Sequence, residues 1–328
     1  MTKMTGEAEV DPLVTVVIPS YNHAQYIDTA IESVLTQTYD KIELIVVDDG
    51  SQDDSHAVIS RYSDHPKVTT ILNETNKGQS AVFNQALAIA QGEFIALLPS
   101  DDWFLPHKIA SQVVKMKASG NDVGVVYSAG ARYYEDTGET VDVEMPVHTG
   151  WIARELIEWG NFIYPITPLY RREVFDKVRP SEQFKAEGEA VHLRVALYYR
   201  YEYVDEVLAV MRDHSYNIGK NAAVMLEEVI KHQRWFFDLP ELPEDIRKLK
   251  TVSLSRLYRV KGMQLIFDHG ERSMGRRSIL KSICLDPKIM IRHPKILAAL
   301  LLSLLPRGVL ELFLRLQRNI KKTDVKLS

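Results

Sequence analysis

The first hundred residues alternate short, largely apolar runs with amphipathic segments. The apolar runs cover residues 13–19, 42–47, 68–72 and 94–98, and each run predicts a β-strand. The run at 94–98 contains no alternating polar residues, which is typical of a strand buried on both faces of a parallel sheet. The segments between the runs predict helices, such as 27–35 with its single apolar face. This β-α-β-α-β-α-β order predicts a parallel sheet with right-handed crossovers.

Polar side chains follow each predicted strand where it ends. In an open α/β sheet, ligands bind beyond the carboxyl ends of the strands. Any one of these polar groups could belong to an ordinary turn, because Asn, Asp and Gly are the commonest turn residues. Four groups on one edge of a sheet instead indicate a binding site, and they are Ser20-Tyr21-Asn22, Asp48-Asp49, 73–78 and Asp101-Asp102.

Asp101 and Asp102 follow the strand at 94–98 and suggest a metal site. Two adjacent carboxylates repel each other, and a divalent cation with oxygen ligands would relieve that repulsion. The alternative is an Asp-Asp turn that caps a helix starting near Pro106. Asn22 is placed to cap the helix at 27–35 in a similar way.

Composition limits the classes to which the chain can belong. Its 328 residues predict one large core with a smaller appendage. The single cysteine, Cys284, excludes an internal disulfide and fits a reducing compartment. Residues 1–11 are polar and acidic, so we expect no signal peptide. The sequence has no Gly-x-Gly-x-x-Gly after its first strand and no Walker loop, which counts against dinucleotide oxidoreductases and P-loop enzymes.

The net charge of −4 is unevenly distributed. Residues 271–328 hold 13 basic and 4 acidic side chains, whereas the rest of the chain holds 27 basic and 40 acidic ones. The acidic body argues against a nucleic-acid partner, and the basic tail suggests an anionic surface. The apolar run at 296–305 is too short to cross a bilayer, so its basic flanks predict an interfacial helix. The alternative is a helix that packs on the rest of the chain or on a second subunit.

Six segments together resemble the inverting nucleotide-sugar glycosyltransferases of family 2, which have the GT-A fold. The order and spacing of the segments agree with that family, and the likeness extends to about residue 220. The resemblance implies a mostly parallel, Rossmann-like α/β sheet flanked by helices over residues 12–218. Beyond it we expect a helical C-terminal region, 219–328, that is membrane-interfacial or oligomerising. The six segments are 16–22, 33–39, 43–51, 73–78, 92–96 and 100–102.

The resemblance assigns roles to the residues that match the family's motifs. Asp102 and His214 would hold a Mn²⁺ or Mg²⁺ ion, which neutralises charge on the leaving nucleoside diphosphate. Two positions depart from the family: Pro99 replaces the first residue of Asp-Ser-Asp-Asp, and Phe83 stands where relatives often have Arg. The second departure suggests that a phosphate contact is missing or moved. The nucleotide-sugar contacts would come from Pro19, Tyr21, Asn22, Asp48, Asp49, Asn76, Lys77, Gly78, Ser100, Asp101 and Arg212.

The general base is the least clear assignment. Inversion requires a carboxylate that removes the proton of the acceptor hydroxyl. Relatives supply it as the Asp of a Glu-Asp pair at the start of a Leu-x-Leu-Arg helix, and this chain has Gly188 at that position. Glu189 or Glu187 would then act as the catalytic base with a longer side chain, and the freedom of the glycine favours Glu189. The alternative is that both glutamates only favour a helix N-terminus.

Aromatic side chains are frequent between residues 151 and 170. The segment 151–159 predicts a helix, and exposed Trp or Tyr side chains in this region would suit stacking on sugar rings. Burial in the core is the commoner fate of an aromatic side chain, so it remains the alternative.

The resemblance implies a metal-dependent inverting glycosyltransferase whose donor is a nucleotide sugar, and we expect that donor to be a UDP-sugar. Its acceptor would be a saccharide or lipid-linked glycan in surface polysaccharide synthesis. We expect a cytoplasmic protein, or a peripheral one on the cytoplasmic face of the inner membrane through residues 271–322, with a homo-oligomer as an option. Gly188 and Pro99 favour the alternative of a catalytically impaired nucleotide-sugar-binding or scaffolding protein. A nucleotide-sugar pyrophosphorylase is disfavoured because its Gly-rich N-terminal loop is absent from the sequence.

Overall fold

The computed structural model of the chain describes residues 11–184, 187–215, 222–267 and 270–305, with the side chains of 187–189 and 222–225 outside the description. The chain divides into two compact units, Met1–Lys220 and Asn221–Ser328. The first unit contains a mixed sheet, and the second contains helices.

Four parallel strands form one half of the sheet, as the apolar runs predict. They lie in the order β3-β2-β1-β4, and every neighbouring pair among them is parallel. The side chains of β1, β2 and β4 are largely buried because helices cover both faces of a parallel sheet, whereas the edge strand β3 buries only Val68. The strands are β1 (Val14–Ser20), β2 (Ile42–Asp48), β3 (Val68–Leu72) and β4 (Phe94–Leu97).

The other half of the sheet continues from β4 in the order β8-β6-β9-β5, and β7 pairs with β6. The β4–β8, β8–β6, β6–β7 and β5–β9 pairs are antiparallel, whereas the long β6–β9 pair is parallel with bulges. The β5–β9 pairing is important for the site because β5 directly follows Asp101 and Asp102. The strands are β5 (Trp103–Phe104), β6 (Val123–Tyr134), β7 (Glu139–Val143), β8 (Leu169–Arg171) and β9 (Arg200–Asp213).

Helices connect these strands and cover the sheet. Apolar side chains of α1 and α4 pack on those of β1, β2 and β4 to form the main core. The prediction that Asn22 caps α1 is wrong, because α1 begins at Ile27 with Tyr26 as its N-cap residue. The helices are α1 (Ile27–Leu35), α2 (Ser55–Ser60), α3 (Gln79–Leu87), α4 (Lys108–Ala118), α5 (Ala153–Trp159), α6 (Glu173–Lys177) and α7 (Glu187–Val195).

The C-terminal unit contains six further helices within its described residues. Helices α10 and α11 approach closely at Gly262 and Gly275, where an added Cβ would meet the opposite backbone. The apolar helix α13 buries Ile296 and Ala299 against this unit's own core and leaves Leu297 and Leu301 exposed. Across the described ranges, no helix combines the length and the hydropathy needed to cross a membrane. The helices are α8 (Ala222–Phe237), α9 (Glu244–Arg247), α10 (Lys250–Phe267), α11 (Arg272–Leu285), α12 (Ile289–Arg292) and α13 (Lys295–Leu302).

Candidate active site

The loop after β1 is fixed against the loop after β2. Asn22 adopts a left-handed φ of 54°, which asparagine tolerates better than most residues. Its backbone N–H donates to Ser51 Oγ at 2.8 Å, and its Oδ1 accepts from the Gln52 N–H at 2.7 Å. The second bond occupies the side-chain oxygen of Asn22. Of the other predicted residues nearby, Pro19 is half-buried near the end of β1, and Tyr21 is exposed on the loop.

Asp48 is fully buried at the end of β2, and protein donors bond both of its oxygens. The N–H and the hydroxyl of Ser51 donate to it at 2.8 and 2.6 Å, and His56 Nε2 lies 2.7 Å from its Oδ1. The sequence places Asp48 among the nucleotide contacts. In the structure the carboxylate of Asp48 holds the loop that follows β2 through these bonds.

Asp49 holds the loop that follows β3. Its two oxygens accept from the backbone N–H groups of Lys77 at 2.7 Å and Gly78 at 2.9 Å. The Lys77 ammonium donates to Asn73 Oδ1 at 2.8 Å, while Asn76 is exposed. The two loops therefore form one bonded unit that presents Asn76 and Lys77 at the carboxyl edge of the sheet.

Three metal-ligating side chains converge beyond the end of β4. Ligand atoms of His23, Asp101 and His214 all lie within 4.8 Å of one another. His214 Nε2 is 3.1 Å from Asp101 Oδ2, and His23 Nδ1 is 2.7 Å from Ser100 Oγ. Burial lowers the pKa of His23, although the charge of Asp101 opposes this effect. A neutral imidazole is the form that binds a metal.

The structure places Asp101, rather than Asp102, beside His214. Asp102 is only 4% exposed, and its Oδ1 accepts from the backbone N–H of Arg212 at 2.8 Å. Burial, and then the neighbouring charge of Asp101, raise the pKa of Asp102 well above its usual range. Adjacent side chains in a turn diverge, so one carboxylate faces the histidines while the other supports β9.

Sequence reasoning does not identify His23. The only signal is its position directly after Asn22 on the loop that follows β1. A lone histidine is seldom a ligand, and the two residues that complete the cluster lie far away in the chain. The backbone N–H of His23 donates to Ser55 Oγ at 3.1 Å, which fixes this loop against the start of α2.

Arg212 lies in a cage of aromatic rings beside the cluster. Its guanidinium carbon is 4.9 Å from the ring centroid of Tyr26, 5.0 Å from Trp103 and 5.3 Å from Tyr133. Its Nε donates to the Asp101 carbonyl at 3.1 Å. Tyr26 donates to Glu135 Oε2 at 3.1 Å, and burial followed by this bond raises the pKa of Tyr26 to about 12. The cage keeps a fixed positive charge next to the candidate metal site.

The candidate bases lie in the first turn of α7, which begins at Glu187. The side chains of Glu187 and Glu189 lie outside the described part of the chain. Further along the helix, His192 is buried between Tyr170 and Tyr201, whose hydroxyls lie 3.4 and 3.2 Å from its ring nitrogens. Burial lowers the pKa of His192 to about 3. A neutral histidine thus anchors α7 to the sheet.

Phe83 packs against another aromatic side chain in the core. It is buried on α3, with its ring edge-on to Phe175 at a centroid distance of 5.3 Å. The side-chain amide of the next residue, Asn84, donates to the Pro180 carbonyl at 3.1 Å. The position that relatives often fill with a basic residue is therefore part of the core here.

Comparison with known proteins identifies the family of this chain. The family model described as glycosyl transferase family 2 matches residues 15–179. An uncharacterized glycosyltransferase of Nostoc sp. is 33% identical over 226 residues, which cover 66% of this chain and 69% of that protein. The UDP-Glc:alpha-D-GlcNAc-diphosphoundecaprenol beta-1,3-glucosyltransferase WfgD of Escherichia coli is 38% identical over 117 residues, which cover 36% of this chain and 45% of that protein.

Solved structures share the fold. TarS 1-349 of S. aureus in complex with UDP-GlcNAc has a TM-score of 0.65 at 20% identity and covers 84% of this chain and 82% of its own. The mannosyltransferase PcManGT of Pyrobaculum calidifontis in complex with GDP-Man and Mn²⁺ has a TM-score of 0.60 at 15% identity. The match covers 97% of this chain and 87% of the PcManGT chain. The predicted family and fold class are confirmed: this chain belongs to glycosyl transferase family 2 and is a glycosyltransferase with the GT-A fold.

Proposed function

We propose that the protein transfers a sugar, with inversion and with the help of a divalent metal, from a UDP-sugar to a saccharide or lipid-linked glycan. The enzyme class follows from the family. The UDP donor is supported by the name of the Escherichia coli relative and by the UDP-GlcNAc complex of TarS. The same relative acts on a diphosphoundecaprenol-linked sugar, which supports an acceptor in surface polysaccharide synthesis.

The proposal of metal dependence is supported by the cluster of His23, Asp101 and His214, whose ligand atoms lie close together. Two imidazoles and one carboxylate suit a transition metal such as Mn²⁺ better than Mg²⁺, which prefers oxygen ligands. The predicted ligand Asp102 would then act indirectly, by holding the backbone of Arg212 through its 2.8 Å bond. A metal at this place would neutralise the charge that grows on the leaving nucleoside diphosphate.

The surrounding side chains have complementary tasks in this proposal. Arg212 adds a fixed positive charge beside the diphosphate, and the aromatic cage prevents its guanidinium from turning away. Lys77 lies on the loop held by Asp49 and would contact the nucleotide from the other side. The exposed ring of Tyr21 is available to the base or ribose. Asp48 and Asp49 position these loops through their bonds to the protein.

The acceptor hydroxyl must lose its proton as the new bond forms, and a carboxylate of α7 would take it. Glu189 and Glu187 are the candidates, with Glu189 favoured, because Gly188 stands at the position of the usual aspartate. His192 fixes the helix that carries them, between the hydroxyls of Tyr170 and Tyr201.

Metal removal and single substitutions test this function. We expect UDP release from a panel of UDP-sugars to fall at least about a hundredfold after chelation and to recover more with Mn²⁺ than with Mg²⁺. His214→Ala should lower kcat by a similar factor because it removes one of three ligands. The matched control is His107→Ala, an exposed histidine at the start of α4, which should behave as the unchanged protein. Full turnover by chelated protein would contradict metal dependence.

A second candidate, a nucleotide-sugar-binding protein without transfer activity, is favoured by Gly188 and Pro99. The double substitution Glu187→Gln and Glu189→Gln separates the two functions. If the protein is an enzyme, the double variant retains thermal stabilisation by UDP with Mn²⁺ but loses transfer by about a hundredfold or more. If it only binds, the unchanged protein is stabilised by UDP and releases no UDP from any sugar donor.

We further propose that the protein acts at the cytoplasmic face of the inner membrane. The basic C-terminal tail, with 13 basic and 4 acidic residues over 271–328, supports attraction to anionic lipid. The exposed leucines of α13 would add apolar contact. Homo-oligomer formation through the same leucines is the alternative, and vesicle binding distinguishes the two, as set out in the Discussion.

A further inference from the structure

One face of α5 exposes two tryptophans on the surface of the first unit. Trp151, just before the helix, is 58% exposed, and Trp159, its last residue, is 69% exposed. The opposite face buries Ala153, Leu156 and Ile157. Two large aromatic side chains exposed close together in the chain form a candidate interaction surface. We call this the α5 face and define it by Trp151, Arg154, Glu158 and Trp159.

Between the tryptophans, the α5 face carries a charged pair. Arg154 Nη1 donates to Glu158 Oε1 at 3.1 Å, and both side chains remain partly exposed. Arg154 and Glu158 are four positions apart and share one side of the helix, and along the chain both lie between the two tryptophans. Aromatic rings that flank planar polar groups are chemically suited to a pyranose, which has apolar C–H faces and a rim of hydroxyls.

The backbone on both sides of the α5 face is well fixed. Gly150, next to Trp151, exchanges two hydrogen bonds with Tyr201 of β9, at 2.7 and 2.9 Å. Trp159 lies with its ring centroid 6.4 Å from that of His148, and the helix ends at Gly160 with φ of 95°. Anchored backbone of this kind orders the tryptophans before a ligand arrives, which lowers the entropic cost of binding.

The α5 face is attached to the helix that carries the candidate bases, because α5 packs against α7. We propose that the α5 face binds the saccharide of the acceptor at a point beyond its reacting sugar. Trp151 and Trp159 would stack on sugar rings, while Arg154 and Glu158 would bond to hydroxyls. This inference rests on the proposed transfer function and adds a substrate class. Ala153 and Trp159 are separated by about 9 Å along the helix, and Trp151 lies two residues before Ala153, so the occupant is an oligosaccharide rather than a single sugar.

Charge favours a saccharide over a lipid surface at this place. Residues 1–270 hold 27 basic and 40 acidic side chains, and between Trp151 and Trp159 there are two glutamates and one arginine. An anionic bilayer would be repelled by such a surface, whereas an uncharged glycan would not. The basic residues that an anionic lipid would need are concentrated after residue 270.

The indole N–H signals of the full-length protein provide the test. The chain has 4 tryptophans, so a ¹⁵N spectrum has few indole signals, and single Trp→Phe variants assign them. The probes are cellohexaose, chitohexaose, glucose, N-acetylglucosamine, and vesicles of phosphatidylglycerol and phosphatidylcholine. We expect a hexasaccharide to shift the signals of Trp151 and Trp159 and to leave that of Trp235 unchanged. Each monosaccharide should bind at least about tenfold more weakly, because it cannot reach both rings.

Substitutions sharpen the test. Trp159→Ala and Trp151→Ala should each weaken hexasaccharide binding about tenfold, and Trp159→Phe should retain most of it because stacking persists. Val114→Ala on α4 removes another exposed apolar side chain and should have no effect. The proposal is overturned if neither hexasaccharide shifts the two signals, or if the vesicles alone do. Stabilisation of the unchanged protein by UDP and Mn²⁺ is measured separately, so failure of the donor site is distinguishable from failure of the α5 face.

Discussion

At the scale of single residues, the most unusual group is the buried amino group of Lys108. The side chain is fully buried at the start of α4, where its Nζ donates to Gln112 Oε1 at 2.7 Å and lies 4.2 Å from the Phe104 ring centroid. Burial lowers the pKa of Lys108 to about 7. Gln112 in turn donates to the carbonyls of Val126 and Thr167, so the lysine belongs to a bonded network between α4 and the sheet.

This lysine makes stability depend on pH with a definite sign. Its folded pKa of about 7 is below the unfolded value of about 10.4, so the unfolded state binds more protons between these values. The free energy of unfolding therefore falls as the pH falls through this window and levels off below pH 7. We expect Lys108→Met to be more stable than the unchanged protein at pH 7.5, with the gain smaller by about 2 kcal/mol at pH 9.5.

Urea unfolding at the two pH values measures this difference. The control is Lys115→Met on the same helix, whose partly exposed ammonium pairs with Glu202 at 3.1 Å and should show no comparable pH effect. A stability difference between Lys108→Met and the unchanged protein that is equal at both pH values would show that Lys108 is charged in the folded state.

Single residues are also where sequence reasoning is weakest. The motif indicates that Asp101 and Asp102 belong to the site, but it does not indicate which carboxylate faces His214. That choice depends on the pairing of β5 with β9, where Trp103 is opposite Val210 and Asp102 accepts from Arg212. Sequence patterns do not identify His23 for the same reason, because its partners Asp101 and His214 are remote in sequence. Such long-range register is not encoded in local patterns.

At the scale of elements, the apolar runs predict the strands of the parallel half of the sheet well. The four parallel strands occur within about one residue of the expected positions, because a strand buried on both faces needs an unbroken apolar run. Helix ends are less well predicted than the ends of these strands. The parallel pairing of β6 with β9 could not be predicted, since it joins segments about seventy residues apart through a bulged register. The predicted helix at 151–159 begins only at Ala153.

The crossing of α10 and α11 offers a prediction at this scale. A Cβ added at Gly275 would lie 2.5 Å from Ile266 Cγ1 and 2.8 Å from the Gly262 carbonyl oxygen. The helices would have to separate, so we expect Gly275→Ala to lower the free energy of unfolding of the C-terminal unit by about 2 kcal/mol. Met274→Ala, at the exposed neighbouring position, should change it by less than about 0.5 kcal/mol.

Thermal and urea unfolding of both variants distinguish these outcomes. If Gly275→Ala unfolds at the same urea concentration as Met274→Ala, the two helices do not pack at the distance described here. Separation of α10 from α11 would also disturb α13, because the three helices share one small core that includes Ile266, Ile279 and Ile296.

At the scale of the whole molecule, the two units differ in both architecture and charge. The sheet and the candidate site lie in Met1–Lys220, whereas the basic excess lies in the C-terminal unit. We expect the full chain to bind vesicles that contain phosphatidylglycerol and to release them as salt rises from about 50 to 300 mM. Neutral vesicles should bind it at least about tenfold more weakly. Cosedimentation measures both quantities.

A protein truncated after Lys220 provides the control for this prediction. It retains all strands of the described sheet and the main core, so it should remain folded and be stabilised by UDP with Mn²⁺. It should no longer bind the vesicles. Vesicle binding that persists in the truncated protein would assign the membrane contact to the first unit, and a full chain that binds no vesicles would favour oligomer formation by the α13 leucines.

The three candidate ligands His23, Asp101 and His214 come from parts of the chain that meet only when the sheet is complete. A cation held by them would connect the loop after β1, the turn after β4 and the end of β9. Because unfolded chains lack this geometry, ion binding would act on the folded state alone and raise the melting temperature in proportion to the logarithm of the ion concentration. Cellular manganese supply would then govern how much of this enzyme survives as well as how fast it turns over.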